Sequence, residues 1–432
     1  MKITKDELTL VNDDALSKFY SGIKSQVTRK DYDKILKRVL CDILEDVLEG
    51  DYSQRARQIC TRAKAEPLWI DSLLNAITIK LKKRTELHKT DKTYLNPGTI
   101  PNYFHPIKKL FVMNDVLFNW DKLFSTYPEL DNINDNTRGY IHKEIQTMLQ
   151  FSNGIMDRAL ILVLASSGIR KGAFKMLDWE DLQPVYRNKE DEFVFDVLES
   201  ESKLTPVCAL LRIYKKTTKQ YTAIITPEAY QSLMEYKKSW FAQLRREPKP
   251  TEPIFKQVGI PAVRRLDDIG IQSRMKAIVK RSGISKPLAK GQRLHEVPIM
   301  NGFRRFFNKN NKKSKSKGTI LSTLINKELM MGHQGMIPLD KNYYHELVIE
   351  LIDDYIQAVP NLTIDESERL RLQTKLKDEM IEKFEFEAKS EIESVKKQLR
   401  ENQLTTLELI GDALKDPEKF KKMLKDKQRV DS

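Results

Sequence analysis

Ser167-Gly168-Ile169-Arg170-Lys171-Gly172-Ala173-Phe174-Lys175-Met176-Leu177-Asp178-Trp179-Glu180-Asp181 divides two kinds of pattern. Before it, Asp157 to Ser166 is a strongly apolar helix whose core, Ala159 to Ala165, is the longest apolar run in the chain. Gly168 suits the left-handed position that closes a helix. The chain restarts at Ile169, with Phe174, Leu177, Trp179 and Leu182 as its apolar positions. Strand patterns appear only after this point. Phe193 to Leu198, Ala209 to Tyr214 and Tyr221 to Thr226 alternate, and the last two flank Lys215-Lys216-Thr217-Thr218-Lys219, which reads as a hairpin turn. Helical periods return from Pro227 to Leu244 and from Ile271 to Ser282. The second half is therefore mixed α+β with a small sheet.

Working back toward the N-terminus, the chain reads as helical. Asp31 to Leu48 carries apolar residues at Ile35, Leu36, Val39, Leu40, Ile43 and Leu44, with Gly50 as a stop. Trp69 to Leu81 repeats the period. Asn96-Pro97-Gly98 is a turn that delivers Thr99 as N-cap to a helix through Tyr103, Ile107 and Phe111. Lys82, Lys83, Arg84, Lys89, Lys92, Lys108 and Lys109 lie on or between these helices. Singly each lysine is a solvated helix face, and together they fit a helical module touching phosphates. Asp131 to Asn136 reads as a linker. The expected organisation is an N-terminal extension (1–35), a helical domain (36–132), an α+β domain (138–350) and a helical tail (361–432).

Composition narrows the class. The chain has 432 residues, and 75 Lys and Arg against 61 Asp and Glu leave a formal net charge of +14. That balance is the footprint of a polyanion partner. Residues 361–432 hold 16 basic and 17 acidic residues, so residues 1–360 carry a net +15. Glycine, 16 of 432, is well below the average of roughly 7%, which argues against Gly-rich barrels and propellers. No apolar run approaches the ~18–20 residues of a membrane span. Cys41, Cys60 and Cys208 show no metal-ligand spacing and no disulfide framework, and the six histidines form no zinc motif. A charged N-terminus without an apolar core gives the expectation of a cytoplasmic, DNA-associated protein.

In the tail, Thr363-Ile364-Asp365-Glu366 is a capping-box pattern. It opens a helix with Leu372, Leu376, Met380, Phe384, Ile392, Val395 and Leu399 spaced mostly by three or four. A charge-balanced amphipathic helix of this kind fits a coiled coil or protomer contact, although its phase drifts from strict heptads.

Four segments of the second half read together: Ser167-Gly168-Ile169-Arg170 with the Leu177-to-Asp181 stretch; the lysines around Lys216; Asn301-Gly302-Phe303-Arg304-Arg305-Phe306-Phe307; and Met331-Gly332-His333 followed by Tyr343-Tyr344-His345. In this order they resemble the tyrosine recombinase (integrase) family. The Gly-Phe-Arg-Arg-Phe-Phe and Leu-Asp-Lys-Asn-Tyr-Tyr wording looks most like the archaeal integrases of mobile elements. The resemblance covers about residues 138–350, and more weakly Thr99 to Asn114. It implies a mostly α, α+β fold, with a helical core-binding (SAM-like) domain before a mixed α+β catalytic domain.

The resemblance also implies a site-specific DNA recombinase that breaks and rejoins strands through a covalent 3′-phosphotyrosine intermediate, with no cofactor, metal or ATP. Tyr343 would be the nucleophile, with Tyr344 as the alternative. Arg170 and Arg304 would clamp the scissile phosphate, since guanidinium forks bind its oxygens bidentately and are always charged. His333 would assist proton transfer. Lys216 would protonate the leaving oxygen, with Lys219 and Lys215 as rivals. Asn301 stands where the family has the first residue of His-x-x-Arg. An amide bonds a phosphate oxygen but shuttles no proton. Arg305, Lys309, Lys312, Lys313, Lys108 and Lys109 are expected to touch the DNA backbone, adding affinity without sequence choice. The implied partners are double-stranded DNA, a homotetramer on it, and an accessory directionality factor, with no membrane. The alternatives are DNA relaxation of the type IB topoisomerase kind, and a degenerate recombinase acting as a non-enzymatic DNA-binding protein.

Overall fold

The computed structural model describes residues 14–129, 137–195, 204–259, 262–285, 288, 295–314, 320–333, 344–418 and 421. The fold is α-rich α+β, with one four-stranded antiparallel sheet among many helices. The chain divides into two compact units, Met1–Arg138 with Ser285–Pro298, and Gly139–Ile284 with Ile299–Ser432. The linker expected at Asp131 to Asn136 lies outside the described residues.

The first unit is built from α1 (Ala15–Ser21), α2 (Gln26–Lys37), α3 (Tyr52–Ala65), α4 (Pro67–Glu86), α5 (Ile100–Met113) and the short α6 (Trp120–Phe124). The expected extension at 1–35 is corrected from Asp14 onward. Leu16, Phe19 and Leu36 are buried in the same core as Phe104, Ile107 and Phe111. The Asn114 side-chain amide ties the two segments by donating to the Ala15 carbonyl at 3.0 Å. The sequence hides this because α1 is only seven residues long. Past Lys37 the helix widens into a π-helical turn, Arg38–Ile43, and Arg55 Nη1 binds the carbonyls of Leu40 and Cys41 at 2.9 and 3.3 Å. The cap before α5 is also corrected. Asn96, not Thr99, makes the side-chain bond, accepting from Gly98 N at 2.9 Å. Lys108 places its ammonium over the Phe124 ring, 5.1 Å from the centroid.

In the second unit α7 (His142–Gln150) leads into α8 (Ile155–Ser167), which is buried nearly all round because it packs on both helices and sheet. The sheet has β1 (Leu182–Arg187), β2 (Phe193–Val194), β3 (Cys208–Ile213) and β4 (Tyr221–Ile225) in the order β2-β1-β3-β4. The β3–β4 hairpin matches the sequence reading, with Ile213 paired to Tyr221. β1 is an addition: Pro184 argues against a strand, yet it pairs with β3, standing opposite Ala209. Of the strand expected at Phe193 to Leu198, residues 196–198 lie outside the described residues.

Next come α9 (Lys171–Phe174), α10 (Pro227–Leu244), α11 (Asp268–Arg281), α12 (Asn301–Lys312), α13 (Ile320–Met330), α14 (Tyr344–Leu362) and α15 (Glu366–Lys415). α12 presents Phe303, Phe306 and Phe307 to the core and Arg305 to solvent, as its i, i+3, i+4 spacing requires. Tyr355 of α14 donates to the Ser166 carbonyl at 2.7 Å, so α14 rests on the end of α8. The expected cap at Thr363 is moved two residues on. Thr363 bonds back to Val359 O, and Asp365 Oδ1 accepts from Glu368 N at 2.8 Å.

Candidate active site

α8 stops where its glycine stands. Gly168 has φ +58°, and a Cβ there would lie 2.7 Å from Phe307 of α12. Only glycine lets α12 come this close and lets the chain turn outward to Arg170. After α13 the chain makes the same move at Gly332, with φ +68° and space for a Cβ only 2.5 Å from the Tyr221 ring of β4.

These two turns carry the site. Arg304 on α12 sends Nη1 to the Gly168 carbonyl and Nη2 to the Met331 carbonyl, both at 2.7 Å. Arg170 Nη1 reaches the Gly332 carbonyl at 3.4 Å. Both glycine turns thus hold Arg304, and the second also holds Arg170. Among the described residues neither guanidinium pairs with a carboxylate. Burial, and then the neighbouring Arg170 charge, lower the Arg304 pKa from its ordinary value. Arg304 nonetheless remains charged at neutral pH.

His333 completes the cluster. Its Nε2 lies 2.7 Å from Arg304 Nη2, and its Nδ1 meets the Glu328 carboxylate. Arginine only donates and a carboxylate only accepts, so the pair fixes neutral His333 with its proton on Nδ1 and a lone pair on Nε2. Glu328 is held in turn by Lys312 Nζ at 2.9 Å. Burial pushes the Glu328 carboxyl up, but the bonds from His333 and Lys312 outweigh it and hold it below the ordinary carboxylate value.

Arg170, Arg304 and His333 are therefore brought together. Asn301 opens α12 with its side chain exposed. Lys216 sits on the β3–β4 turn with φ +60° and an exposed side chain, its amide donating to Gln220 Oε1 at 3.0 Å. Lys219 is exposed on the same turn, its amide on Thr217 Oγ1. Lys215 is taken elsewhere. Its ammonium is 2.7 Å from Asp178, 2.8 Å from Glu180 and 3.2 Å from Asp181, which hold its pKa well above the ordinary value against the pull of burial. Tyr343 lies outside the described residues, and Tyr344 is the first residue of α14. Of the expected DNA contacts, Arg305, Lys309 and Lys313 are exposed, Lys312 is on Glu328, and Lys108 and Lys109 are half-buried.

Two residues escaped the sequence reading. Glu328 had a signal, a carboxylate in the last turn before His333. Tyr221 had none beyond strand alternation. Its hydroxyl is buried beside Arg304 and Arg170, and burial pushes its pKa up to about 12 against the lowering effect of the Arg304 guanidinium. Chemically, the cluster offers an anion two neighbouring guanidinium groups that pair with no carboxylate among the described residues, one of them oriented by the His333 imidazole.

No family model matches the chain, and no curated protein matches it. Among solved structures it is similar to XerA recombinase, at 15% identity over 84% of this chain and 97% of that one, with a TM-score of 0.31. It is similar to XerH site-specific recombinase bound to its difH substrate before cleavage, at 12% identity over 74% and 94%, TM-score 0.38. It is also similar to a lambda integrase tetramer bound to a Holliday junction, at 12% identity over 79% and 84%, TM-score 0.39. Likenesses this distant carry no weight in assigning chemistry to the site, whose reading rests on its side chains.

Proposed function

We propose that the chain is a DNA strand-breaking and rejoining enzyme, a site-specific recombinase of the tyrosine type. The observation that carries this reading is the pair Arg170 and Arg304, the first following the Gly168 turn and the second on α12 with its guanidinium held by both glycine turns, neither paired with a carboxylate among the described residues. A phosphodiester between two DNA sugars is the anion that the net positive charge and the paired forks suit together.

In this reading a tyrosine oxygen, that of Tyr343 or of Tyr344, gives up its proton to water and attacks the phosphorus. A phosphorus–oxygen bond to the tyrosine forms, the bond to the 5′ oxygen breaks, and the 3′ phosphate remains on the protein. Negative charge grows on the non-bridging oxygens as this happens, and Arg170 and Arg304 stabilise it without reorganising. The Nε2 lone pair of His333 accepts a bond from Arg304 and orients that fork. Lys216, or Lys219, protonates the leaving 5′ oxygen. Reversal by a 5′ hydroxyl from a second duplex rejoins the strand and frees the tyrosine. The ester bond is conserved throughout, so neither ATP nor a metal is needed. The helical unit supplies further phosphate contacts. Four protomers act on two duplexes, because each one cuts a single strand.

A nicked suicide duplex carrying a candidate site tests this reading. Wild type is expected to form covalent protein–DNA without metal or ATP. Loss in Tyr343→Phe alone assigns the nucleophile there, and loss in Tyr344→Phe alone moves it by one residue. Relaxation of supercoiled DNA without a specific site would instead favour the topoisomerase reading. Tight DNA binding with no covalent product on any substrate would leave a non-enzymatic DNA-binding protein, with Asn301 as the first suspect.

A further inference from the structure

α15 runs unbroken for 50 residues, about 75 Å at 1.5 Å per residue. Its root is fixed, because the Glu228 carboxylate accepts from Ile364 N and Asp365 N at 2.7 and 3.0 Å, and Asp365 caps the first turn. Beyond that root the helix carries apolar side chains that nothing covers among the described residues. Leu370, Ile381, Ile392 and Leu414 are 51–79% exposed, as are Phe384, Val395, Leu399 and Ile410.

The spacing of these residues is ordered. Leu370, Ile381 and Ile392 recur every 11 residues, Gln403 takes the next place, and Leu414 the one after. Phe384 and Val395 repeat at the same interval, as do Leu399 and Ile410. An 11-residue repeat is 3.67 residues per turn, close to the free helix, so the residues form one nearly straight stripe instead of drifting round as a heptad would. This explains why the tail did not fit strict heptads. The series is also centred. Leu370 and Leu414 stand equally far on either side of Ile392, near the middle of the helix.

Charge is distributed unevenly beside the stripe. Asp378, Glu379, Glu382, Glu385 and Glu387 crowd the stretch before Ile392, and Lys396, Lys397 and Arg400 follow it. A parallel, in-register pair of these helices lays the acidic stretch against its own copy. An antiparallel pair with its two-fold axis near Ile392 lays Leu370 against Leu414, Phe384 against Leu399, Glu382 against Arg400, Glu385 against Lys396 and Lys389 against Glu393. The apolar stripe sets the register, and the charged side chains flanking it reach their partners with an offset of up to three residues.

We infer that α15 is a self-association element: two copies of this chain pair through an antiparallel coiled coil centred on Ile392. The inference stands on α15 alone and does not require the recombinase reading. It gives the protein a dimer contact that exists without DNA.

Molar mass of the full-length protein by light scattering at micromolar concentration is the test, with circular dichroism to check folding. Wild type is expected to be a dimer, and Ile392→Glu with Val395→Glu a monomer of similar helicity, because a charge buried in the seam is costly. Glu382→Arg with Glu385→Lys is expected to raise the dimer dissociation constant about 10-fold or more by placing like charges opposite each other. Adding Arg400→Glu and Lys396→Glu in the same chain is expected to restore it. That rescue distinguishes lost pairing from lost folding and requires the antiparallel register. A monomeric wild type, a dimer unchanged in the Ile392/Val395 variant, or failure of the charge exchange to rescue would overturn the inference. A dimer with no covalent DNA product would refute only the catalytic proposal.

Discussion

Lys215 and Arg170 belong to the same unit and meet opposite electrostatic fates. Lys215 lies among the carboxylates of Asp178, Glu180 and Asp181, and Arg265 binds Asp178 as well. Arg170 and its neighbour Arg304 meet backbone carbonyls and an imidazole. A neutralised cation has spent its field on the fold. It ties the Leu177-to-Asp181 stretch to the hairpin and has little left for a ligand. Two cations held by neutral dipoles keep their charge directed outward, at the cost of mutual repulsion. The first arrangement is what a scaffold needs, and the second what an anion site needs.

The largest effect expected from breaking this contrast is at Arg304. Arg304→Ala should reduce covalent DNA product by about 10³-fold, since one charge-assisted donor on developing negative charge is worth on the order of 10²–10³. Arg304→Lys, which keeps charge without the fork, should recover only part of it. Single-turnover cleavage checks both. A loss of less than tenfold would mean that Arg304 is packing.

Asp178→Asn should act on the other side of the comparison. It leaves Arg265 without its carboxylate while Lys215 keeps Glu180 and Asp181, and should lower stability by on the order of 2 kcal/mol, less than a fully buried pair because Arg265 is a third exposed. Denaturant unfolding measures it. The pH dependence has a definite sign. Burial raises the Asp178 carboxyl, but Lys215 and Arg265 hold it below its ordinary 3.8. Its contribution is therefore complete above that value and lost as pH falls through the lower folded value. Asp178→Asn should abolish that part of the acid-induced loss.

Glu328→Gln sharpens the boundary, because Glu328 serves the cation cluster through His333. An amide can donate as well as accept, so His333 is no longer held in one tautomer. Cleavage should fall about 10-fold with little change in melting temperature. A melting loss with unaltered cleavage would place Glu328 in the scaffold. The smallest effect is at Tyr221. Tyr221→Phe removes a buried hydroxyl whose contact is the Arg304 guanidinium, so stability should change by no more than about 1 kcal/mol. If that hydroxyl meets the phosphate, DNA cleavage falls a few-fold. Unchanged cleavage makes Tyr221 a wall for Gly332.

The same contrast explains what the sequence could show. Gly168, the β3–β4 hairpin and the phenylalanines of α12 are written in local periodicity and in one residue's conformational freedom. So are Arg170, Arg304 and His333, each set by a short motif beside a glycine or an aromatic anchor. What was hidden depends on partners far along the chain. Lys215 looks like any hairpin lysine until β3 brings it to Asp178. Pro184 argues against a strand until β3 is seen to pair with it at Ala209. Leu16 and Phe19 look like an extension until Asn114 reaches Ala15. The 11-residue stripe of α15 was present in the sequence, but its centre on Ile392 becomes meaningful only once the helix is seen to be continuous and bare.

The most direct test compares Arg170→Ala with Asp178→Asn on one nicked duplex, with single-turnover cleavage and melting temperature recorded on the same samples. Among the described residues Arg170 is exposed and makes one long bond, so its removal should leave melting unchanged and cut covalent product at least about 100-fold. Asp178→Asn should melt lower and, while folded, cleave within a few-fold of wild type. Equal losses of cleavage in both variants, or an active Arg170→Ala beside an inactive but folded Asp178→Asn, would contradict the account.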